Sequence, residues 1–577
     1  MIVRPLQSLT KLFCLRMKHK LSLLVFLFTS IIGSAQESAP IGIDDQIDQA
    51  FAPVSTFFSN VVFFTIFDIP FVLILLVFSA LFFTVYFGFP NFRYFWRAIQ
   101  TVRGKYEDIE NHGAKVLYGE DGIANGVDLN KVDIEEHIEA LDDDLAVDGD
   151  IVDTIRDESS AGEVSHFQAL ATAVSGTVGN GNIAGVALAI ALGGPGATFW
   201  MIICGLLGMS SKFVECTLGV QYRDVGEDGT VYGGPMFYLT KGLKEKGFAT
   251  LGKIAAVVFA IFCIGGSFGG GNAAQSNQAT IVIKELFNLE STGAGFWIGV
   301  VIAILVGVII IGGIKRIAQV TEKVVPFMAV MYLVACIYII GLNFSLIDDA
   351  IALIVEEAFN PTAFGVGSVI GVLLVGFKRA AFSNEAGAGS ASIAHSAVRT
   401  KYSASEGLVA LLEPFIDTVV ICTMTALVII IFNFGGFFEY GGDGSGAVII
   451  DGLSYEGAGI TSKAFAEYIP FSNIFLTIAV VLFAVSTMIS WSYYGIQAWK
   501  FLFGRGKVAD MVYKLLFLTF IVIGAAANMR SIWDFSDAMI FAMIFPNMVG
   551  LFFLFPVVKK QLNRYLDAIK LKREALK

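Results

Sequence analysis

The chain has 577 residues, 55% of them hydrophobic, and a mean hydropathy of +0.71, which excludes an ordinary soluble protein and indicates a multi-span membrane protein. The formal net charge of -11 comes from one stretch, because residues 107–163 hold 19 acidic residues against three basic ones. That stretch carries -16 and leaves +5 for the rest, so the acidity gives no indication of a nucleic-acid partner.

The N-terminus predicts a signal peptide over residues 1–35. Basic residues around Lys18 and Lys20 precede a short apolar core, and small residues at Ser34 and Ala35 suit cleavage. The alternative is an uncleaved anchor. Residues 36–63 mix apolar and acidic residues at helical spacing, which predicts an amphipathic segment lying on the periplasmic surface.

Residues 64–88 predict an extra transmembrane helix ahead of the main bundle. Arg93, Arg97, Arg103 and Lys105 follow it, and basic residues flank the cytoplasmic ends of helices. Residues 89–165 are therefore expected to form a cytoplasmic loop with an acidic insert, which is too charged to be buried.

Ten further apolar segments are long enough to cross a bilayer. They are 167–193, 196–220, 252–283, 294–313, 324–343, 364–395, 407–434, 472–499, 510–528 and 533–557. If each crosses once, most of the basic residues between them fall on the cytoplasmic side, as the positive-inside rule requires. The mature chain then has about eleven spans, a periplasmic N-terminus and a cytoplasmic basic tail, 559–577, in a bacterial inner membrane.

The segment 167–193 is interrupted at mid-depth by Ser175-Gly176-Thr177-Val178-Gly179-Asn180-Gly181-Asn182, residues of low helix propensity. An opened backbone is tolerated in a membrane only where it is buried in protein or lines a wet cavity. The freed carbonyls suit a small cation, and the new helix N-terminus suits a carboxylate. The alternative is a kinked helix with glycines at a tight helix interface.

A second interruption, Gly376–Ser390, lies in the sixth of the ten segments. It occupies the same place in the second group of five as the first interruption does in the first group. This indicates two inverted five-helix repeats, 166–343 and 344–558, with a transport site between the broken helices. Lys378, Arg379 and Glu385 are costly at that depth and should face the interior or one another, and Lys378 and Glu385 are also compatible with a purely structural pair.

Two other segments carry polar groups at mid-depth. The third has a glycine-rich run followed by Gln275, whose neutral amide can bind an ammonium or a carboxylate, or join helices. The eighth has Ser486 and Thr487, and these hydroxyls could hold a sodium ion together with carbonyls of the opened first segment, such as that of Gly176. Glu413 and Asp417 in the seventh segment are candidates for structure or for ion coupling.

Several long motifs resemble those of the alanine or glycine:cation symporter family. They are GTVGNGNIAGVALAIALGGPG from Gly176, KFVECTLGVQYR from Lys212, GGPMFYL from Gly233, FKRAAFSNEAGAGSASIAH from Phe377 and FAVSTMISWSYYG from Phe483. The resemblance implies an all-α, LeuT-type 5+5 inverted-repeat fold and sodium-driven uptake of small neutral amino acids. It implies a substrate site formed by Thr177, Gly179, Asn180, Gly181, Asn182, Gln275, Phe382, Ser383, Asn384 and Trp491, and cation ligands at Ser486 and Thr487.

We therefore expect a secondary active transporter that carries alanine or glycine together with a sodium ion, acts in the lipid bilayer as a monomer and is not an enzyme. HExxH is absent, and the one GxSxG match, at Gly265–Gly269, lies inside an apolar segment. Two alternatives remain: a proton-coupled symporter of the same fold, in which Glu385, Glu413 or Asp417 titrates, and a passive channel.

Overall fold

The structure is a bundle of transmembrane helices. This computed structural model describes residues 43–107, 109, 123–124, 127–128, 162–226, 230–289, 291, 293–311, 313–362, 368–442 and 444–575. Among these residues, seven helices are long and apolar enough to cross a membrane, or eight if one bent pair is counted as a span. The predicted all-helical membrane class is confirmed. The predicted signal peptide and most of the acidic insert lie outside the described residues.

The helices follow the apolar segments closely. They are α1 (Ile43–Val62), α2 (Phe71–Tyr86), α3 (Phe95–Val102), α4 (His166–Thr177), α5 (Gly181–Gly193), α6 (Gly196–Gln221), α7 (Ala249–Phe287), α8 (Ala294–Ile310), α9 (Gly313–Leu342), α10 (Ile347–Phe359), α11 (Val369–Asn384), α12 (Ala391–His395), α13 (Ser403–Asn433), α14 (Ala458–Tyr468), α15 (Ser472–Phe503), α16 (Lys507–Ala526) and α17 (Met529–Ala575). Shorter helical turns cover Pro90–Arg93, Pro235–Phe237, Tyr238–Gly242, Leu243–Glu245 and Phe344–Leu346.

Strands occur only as short antiparallel hairpins within the described residues. The pairs are β1 (Thr65–Ile66) with β2 (Ile69–Pro70), β3 (Ile123–Ala124) with β4 (Val127–Asp128), β5 (Asp224–Val225) with β6 (Val231–Tyr232), and β7 (Val448–Ile450) with β8 (Leu453–Tyr455). Because the first hairpin precedes it, the extra helix begins later than predicted. It was expected from residue 64, but α2 begins at Phe71. Phe67 and Asp68 turn the chain with positive φ, and Pro70 then precedes the first helical turn.

The second helix of the main bundle, α6, packs against α11 and α13. The long helix α7 packs against α15 and α17, and α4 packs against α9 and α15. On the outside of the bundle, α8 and α9 expose large apolar side chains such as Val301, Ile304 and Val334. These exposed faces suit contact with lipid, and the polar groups are collected inside.

Segments predicted on the same side of the membrane contact one another. On the cytoplasmic side, the Glu163 N–H donates to the Ala397 carbonyl (2.7 Å), and the Lys572 ammonium donates to the Lys105 carbonyl (3.0 Å). On the other side, the Ser55 hydroxyl of α1 donates to the Ser531 carbonyl at the start of α17 (2.7 Å).

Candidate functional site

The first interruption opens a helix, as predicted. Helix α4 begins at a capping box, in which Ser165 and Gln168 bond each other's N–H groups, and it ends at Thr177. Val178 is extended, and the chain resumes as the π-helical turn Gly181–Gly185, so that α4 and α5 meet at an angle of 51°. Within the break, the Gly179 N–H donates to Asn182 Oδ1 (2.9 Å). The side chain of Asn182 thus replaces a lost helical acceptor.

Gln275 of α7 holds this break open. Its Oε1 accepts the N–H of Asn180 (3.0 Å), and its backbone carbonyl accepts Asn180 Nδ2 (3.2 Å). Its Nε2 donates to the carbonyl of Gly270 (2.9 Å), which lies in the π-helical stretch Gly269–Ala273. One buried amide therefore connects the irregular parts of two helices.

The second interruption separates α11 from α12. Glu385, Gly387 and Gly389 all have positive φ, and a left-handed conformation at Glu385 ends α11 after Asn384. The Asn384 side chain caps the turn by accepting the Ala386 N–H (2.9 Å) and donates to the Thr418 hydroxyl (2.9 Å). Here too a polar side chain replaces lost helical bonds.

The two interruptions lie against each other. Gly181 approaches Ser383 so closely that a Cβ on the glycine would lie 3.4 Å from Ser383 Oγ. Asn182 Nδ2 and Ser383 Oγ both donate to Asp417 Oδ1, at 2.7 and 3.1 Å. Asn180, Asn182 and Ser383 are all buried. The predicted residues of the first and sixth segments are thus brought together around a carboxylate of α13.

Of the two predicted hydroxyl ligands, only that of Thr487 is turned toward Gly179 in the break of the first helix. A Cβ built on Gly179 would clash with its hydroxyl, and this buried hydroxyl has no hydrogen-bond partner among the described residues. The Ser486 hydroxyl turns back to the Phe483 carbonyl (3.0 Å), while the Ser486 carbonyl accepts the Ser175 hydroxyl (2.8 Å). Gly176 faces the Tyr494 ring.

The predicted aromatic residues line the same region. Trp491 donates its indole N–H to Glu385 Oε1 (2.9 Å), and its ring packs directly on Gly271. Phe382 packs against Trp533, with 4.9 Å between ring centroids. Thr177 is buried, and its hydroxyl bonds within its own helix, to the Ala173 carbonyl (3.3 Å).

The charged residues of the second interruption do not pair as the structural alternative supposed. Lys378 lies 2.9 Å from Asp537 of α17, and Arg379 also pairs with Asp537. Glu385 instead accepts hydrogen bonds from Trp491 and Ser390. This pairing depends on the tertiary structure, because α17 supplies a carboxylate that the sequence of α11 does not reveal.

A chain of buried ionisable groups extends from the site toward the start of α4 and the start of α13. Lys212 of α6 pairs with Glu413 (3.0 Å), and the other Glu413 oxygen lies 3.6 Å from His395 Nε2. Glu406 contacts both His395 and His166. The sequence indicated Glu413 but missed His166, His395 and Glu406, because each lies near the end of an apolar segment where a polar residue is ordinary.

The chain is similar to known proteins over most of its length. Residues 148–576 match the family model described as "Sodium:alanine symporter family". The chain belongs to this family. It is similar to the sodium/alanine symporter AgcS of Methanococcus maripaludis, to which it is 40% identical over 417 residues, 72% of this chain and 87% of that protein. The family is one of transporters, and this chain is a multi-pass membrane protein.

Other relatives carry related names. The probable sodium/glutamine symporter GlnT of Bacillus subtilis is 34% identical over 408 residues, 70% of this chain and 79% of that protein. The sodium/proton-dependent alanine carrier protein of Bacillus sp. (strain PS3) is 31% identical over 418 residues, 72% of this chain and 90% of that protein.

Proposed function

We propose that the protein is a sodium-coupled symporter that carries small neutral amino acids, such as alanine and glycine, into the cell by alternating access. The observation that carries the proposal is the meeting of the two broken helices, through Gly181 against Ser383 and beside Gln275. The Thr487 hydroxyl, which has no hydrogen-bond partner in the described part of the chain, lies at the same place. Paired broken helices place main-chain donors and acceptors where an amino acid and an ion need them.

The substrate site comprises Thr177, Gly179, Asn180, Gly181, Asn182, Gln275, Phe382, Ser383, Asn384 and Trp491. Backbone N–H groups of residues 179–182 hold the carboxylate at the N-terminal end of α5, where the helix dipole is positive. On substrate binding, the Gly179 and Asn180 N–H groups exchange their bonds to Asn182 Oδ1 and Gln275 Oε1 for bonds to the carboxylate. Gln275 and carbonyls of the second interruption receive the ammonium. Phe382, against Trp533, and Trp491 limit the size of the side chain.

The sodium site is formed by Thr487, with Ser486 and Gly176 beside it. Hard cations take oxygen ligands, and a buried hydroxyl without a partner is costly unless a ligand occupies it. The position of Thr487 against Gly179 supports this choice, because an ion there also contacts the opened backbone of the first broken helix.

The architecture belongs to the LeuT type: two inverted repeats of five helices, 166–343 and 344–558, preceded by the extra helix within 64–88, with about eleven spans in all. Two features of the helix order support it. The first long apolar segment of each repeat is broken, and a short helix follows the second span of each, at 235–245 and at Ala458–Tyr468. An odd number of spans inverts the second repeat.

The remaining assignments concern where the parts of the chain lie in the cell. The mature chain lies in the bacterial inner membrane as a monomer, with residues 36–63 on the periplasmic surface and with 89–165 and 559–577 in the cytoplasm. Residues 1–35 form a signal peptide that is removed.

Uptake by the purified protein in proteoliposomes tests the function. Labelled alanine should accumulate when sodium is present outside at a fixed pH, and accumulation should stop when potassium replaces sodium. Accumulation driven by a pH gradient in potassium supports the proton-coupled alternative, for which the name of the Bacillus sp. relative is a specific reason. Equilibration without accumulation in either gradient is the result expected of a channel.

A further inference from the structure

A basic cavity lies apart from the proposed transport site, where the start of α7 approaches the end of α15. Its volume is about 520 Å³. The walls come from three parts of the chain: the β5–β6 hairpin with the helical turns after it, the first turns of α7, and the end of α15 with the residues that follow. The residues that line it are distinct from those of the proposed substrate and sodium sites. The cavity therefore calls for an occupant of its own.

The charge of this cavity is strongly positive. Among the described residues, five basic side chains and one acidic side chain line it: Lys241, Lys244, Lys253, Lys500, Arg505 and Asp224. A concave surface with charges of one sign concentrates ions of the opposite sign. The cavity therefore favours an anion.

Part of this positive charge is neutralised within the protein. Lys241 pairs with Asp224, which is buried. Lys500 lies 3.6 Å from Asp510 of α16, and Lys514 lies 2.7 Å from the same carboxylate. Two ammonium groups thus share one acid, and these acids compensate for only some of the basic side chains.

The other basic side chains of the cavity keep their charge. Within the described part of the chain, Lys244, Lys253 and Arg505 form no ion pair. Both lysines are exposed, and the Arg505 guanidinium lies over the Tyr232 ring, 3.5 Å from its centroid. An aromatic ring carries no net charge, so Arg505 can still pair with an anion. Three cationic groups are therefore available to one ligand.

An exposed apolar face of α7 begins beside the cavity. Leu251, Ile254, Val257 and Ile261 are all exposed, and their spacing of three and four residues places them on one face of the helix. Lys253 lies in the first of these turns and lines the cavity. In a membrane such a face contacts acyl chains, and lysines near a helix end reach the headgroup region.

We propose that this cavity binds the phosphate group of an anionic phospholipid, whose acyl chains lie along the exposed face of α7. Lysine and arginine recognise phosphate, and basic pockets between transmembrane helices bind acidic lipid headgroups. Soluble phosphate has the same chemistry, but the apolar face beside the cavity favours the lipid. The proposal goes beyond the proposed transport function and does not depend on it, because lipid binding needs no transported substrate.

A bound lipid connects two helices of the proposed transport site. Lys253 belongs to α7, which also carries Gln275, and Lys500 belongs to α15, which also carries Thr487. A ligand that binds only the folded arrangement stabilises it. Anionic lipid therefore stabilises the packing of α7 against α15.

Titration of the purified full-length protein with lipid, followed by native mass spectrometry, tests the proposal. The probe is phosphatidylglycerol in a neutral detergent, and phosphatidylcholine, whose headgroup has no net charge, is the comparison. We expect the first phosphatidylglycerol to bind at least about tenfold more tightly than phosphatidylcholine, and Lys244→Gln/Lys253→Gln to lower its affinity about tenfold. Equal affinities for the two lipids overturn the proposal.

Two further variants control for charge and for folding. Lys244→Arg/Lys253→Arg keeps both charges and should bind phosphatidylglycerol as the wild type does. Lys315→Gln/Lys323→Gln removes two exposed lysines of α9, outside the cavity, and should also bind as the wild type does. An equal loss in this variant and in the cavity variant overturns the proposal, because positive charge anywhere on the protein would then suffice.

Inorganic phosphate at matched ionic strength distinguishes the two sources of the phosphate group. The thermal unfolding midpoint of the wild type in detergent should rise with phosphatidylglycerol and stay unchanged with inorganic phosphate. The rise should be lost in Lys244→Gln/Lys253→Gln. A rise with inorganic phosphate as large as that with lipid overturns the choice of a lipid, and a rise with lipid that the variant retains overturns the choice of this cavity.

Discussion

At the scale of single residues, the site depends on side chains that replace lost backbone bonds. Gln275 uses both ends of its amide, one for the Asn180 N–H and one for the Gly270 carbonyl. An amide can do this without a charge, which would be costly at this depth. Its role in the structure is therefore to hold the opened backbone in place.

We predict that Gln275→Ala lowers alanine uptake at least about tenfold, because two buried hydrogen bonds are lost and their partners remain unpaired. Uptake into proteoliposomes measures the effect, and the amount of protein inserted should be unchanged. Asn343→Ala is a control, since that amide donates to the Ile339 carbonyl four residues earlier, at the end of α9. Wild-type kinetics in Gln275→Ala would remove this residue from the site.

Thr487 gives a second prediction at this scale. Thr487→Val keeps the shape of the side chain and removes its oxygen, so the sodium concentration for half-maximal uptake should rise about tenfold. Thr487→Ser keeps the oxygen and should stay close to the wild type. The sodium dependence of uptake distinguishes the two, and equal values for both variants would show that the hydroxyl is not a ligand.

At the scale of elements, each interruption depends on close approach as well as on low helix propensity. Gly179 leaves no room for a Cβ, because Gln275 Oε1 would be 3.1 Å from it and Thr487 Oγ1 closer still. The break in the first helix and the hydroxyl of α15 therefore fit only when residue 179 has no side chain.

We predict that Gly179→Ala abolishes transport, because the added methyl group pushes α15 away from the break. Gly341→Ala is the matched control: it lies in helix α9, and its Cβ would meet nothing within 4 Å. The control should transport normally and be at least as stable, since alanine is the better helix former. Normal uptake by Gly179→Ala would contradict the assigned contact.

The Lys212–Glu413 ion pair joins α6 to α13 in the core of the bundle. Removing one partner leaves the other charge buried without a counter-charge. We therefore expect Lys212→Met to destabilise the protein by about 3–5 kcal/mol. The double variant Lys212→Met/Glu413→Gln should recover much of the loss. Thermal unfolding in detergent measures both. A double variant no more stable than Lys212→Met would contradict this account.

At the scale of the whole molecule, the proposed topology assigns each connection to one side of the membrane. Phe344, in the turn after α9, is 77% exposed, and Val508, at the start of α16, is 69% exposed. The cysteines of the described residues are all buried and should not react. New cysteines at these two positions therefore report the two sides separately.

We predict that Phe344→Cys reacts with a membrane-impermeant maleimide added to intact spheroplasts, and that Val508→Cys reacts only after the membrane is opened. This follows from the positive-inside distribution of Lys500, Arg505 and Lys507 around the second position. Labelling of Val508→Cys in sealed spheroplasts would invert the assignment.

Some of this protein follows from local sequence alone. The length and hydropathy of each segment determine which residues enter the membrane, because every backbone group there must be bonded within a helix. The glycines and asparagines of residues 175–182 likewise determine where a helix opens, since they compete with or weaken helical bonds. The bounds of the helices were predicted less accurately than their number. The start of α2, for example, depends on a proline and a turn.

Only the tertiary structure determined which polar groups contact one another. Hydropathy does not reveal that Asp537 neutralises Lys378 and Arg379, that Ser486 turns its hydroxyl away from the first interruption, or that Asp417 touches both broken helices. Each contact joins helices far apart in the chain, and packing alone selects which polar groups meet. The chemistry of a buried polar residue determines that it needs a hydrogen-bonding or ionic partner. The fold determines which group that partner is.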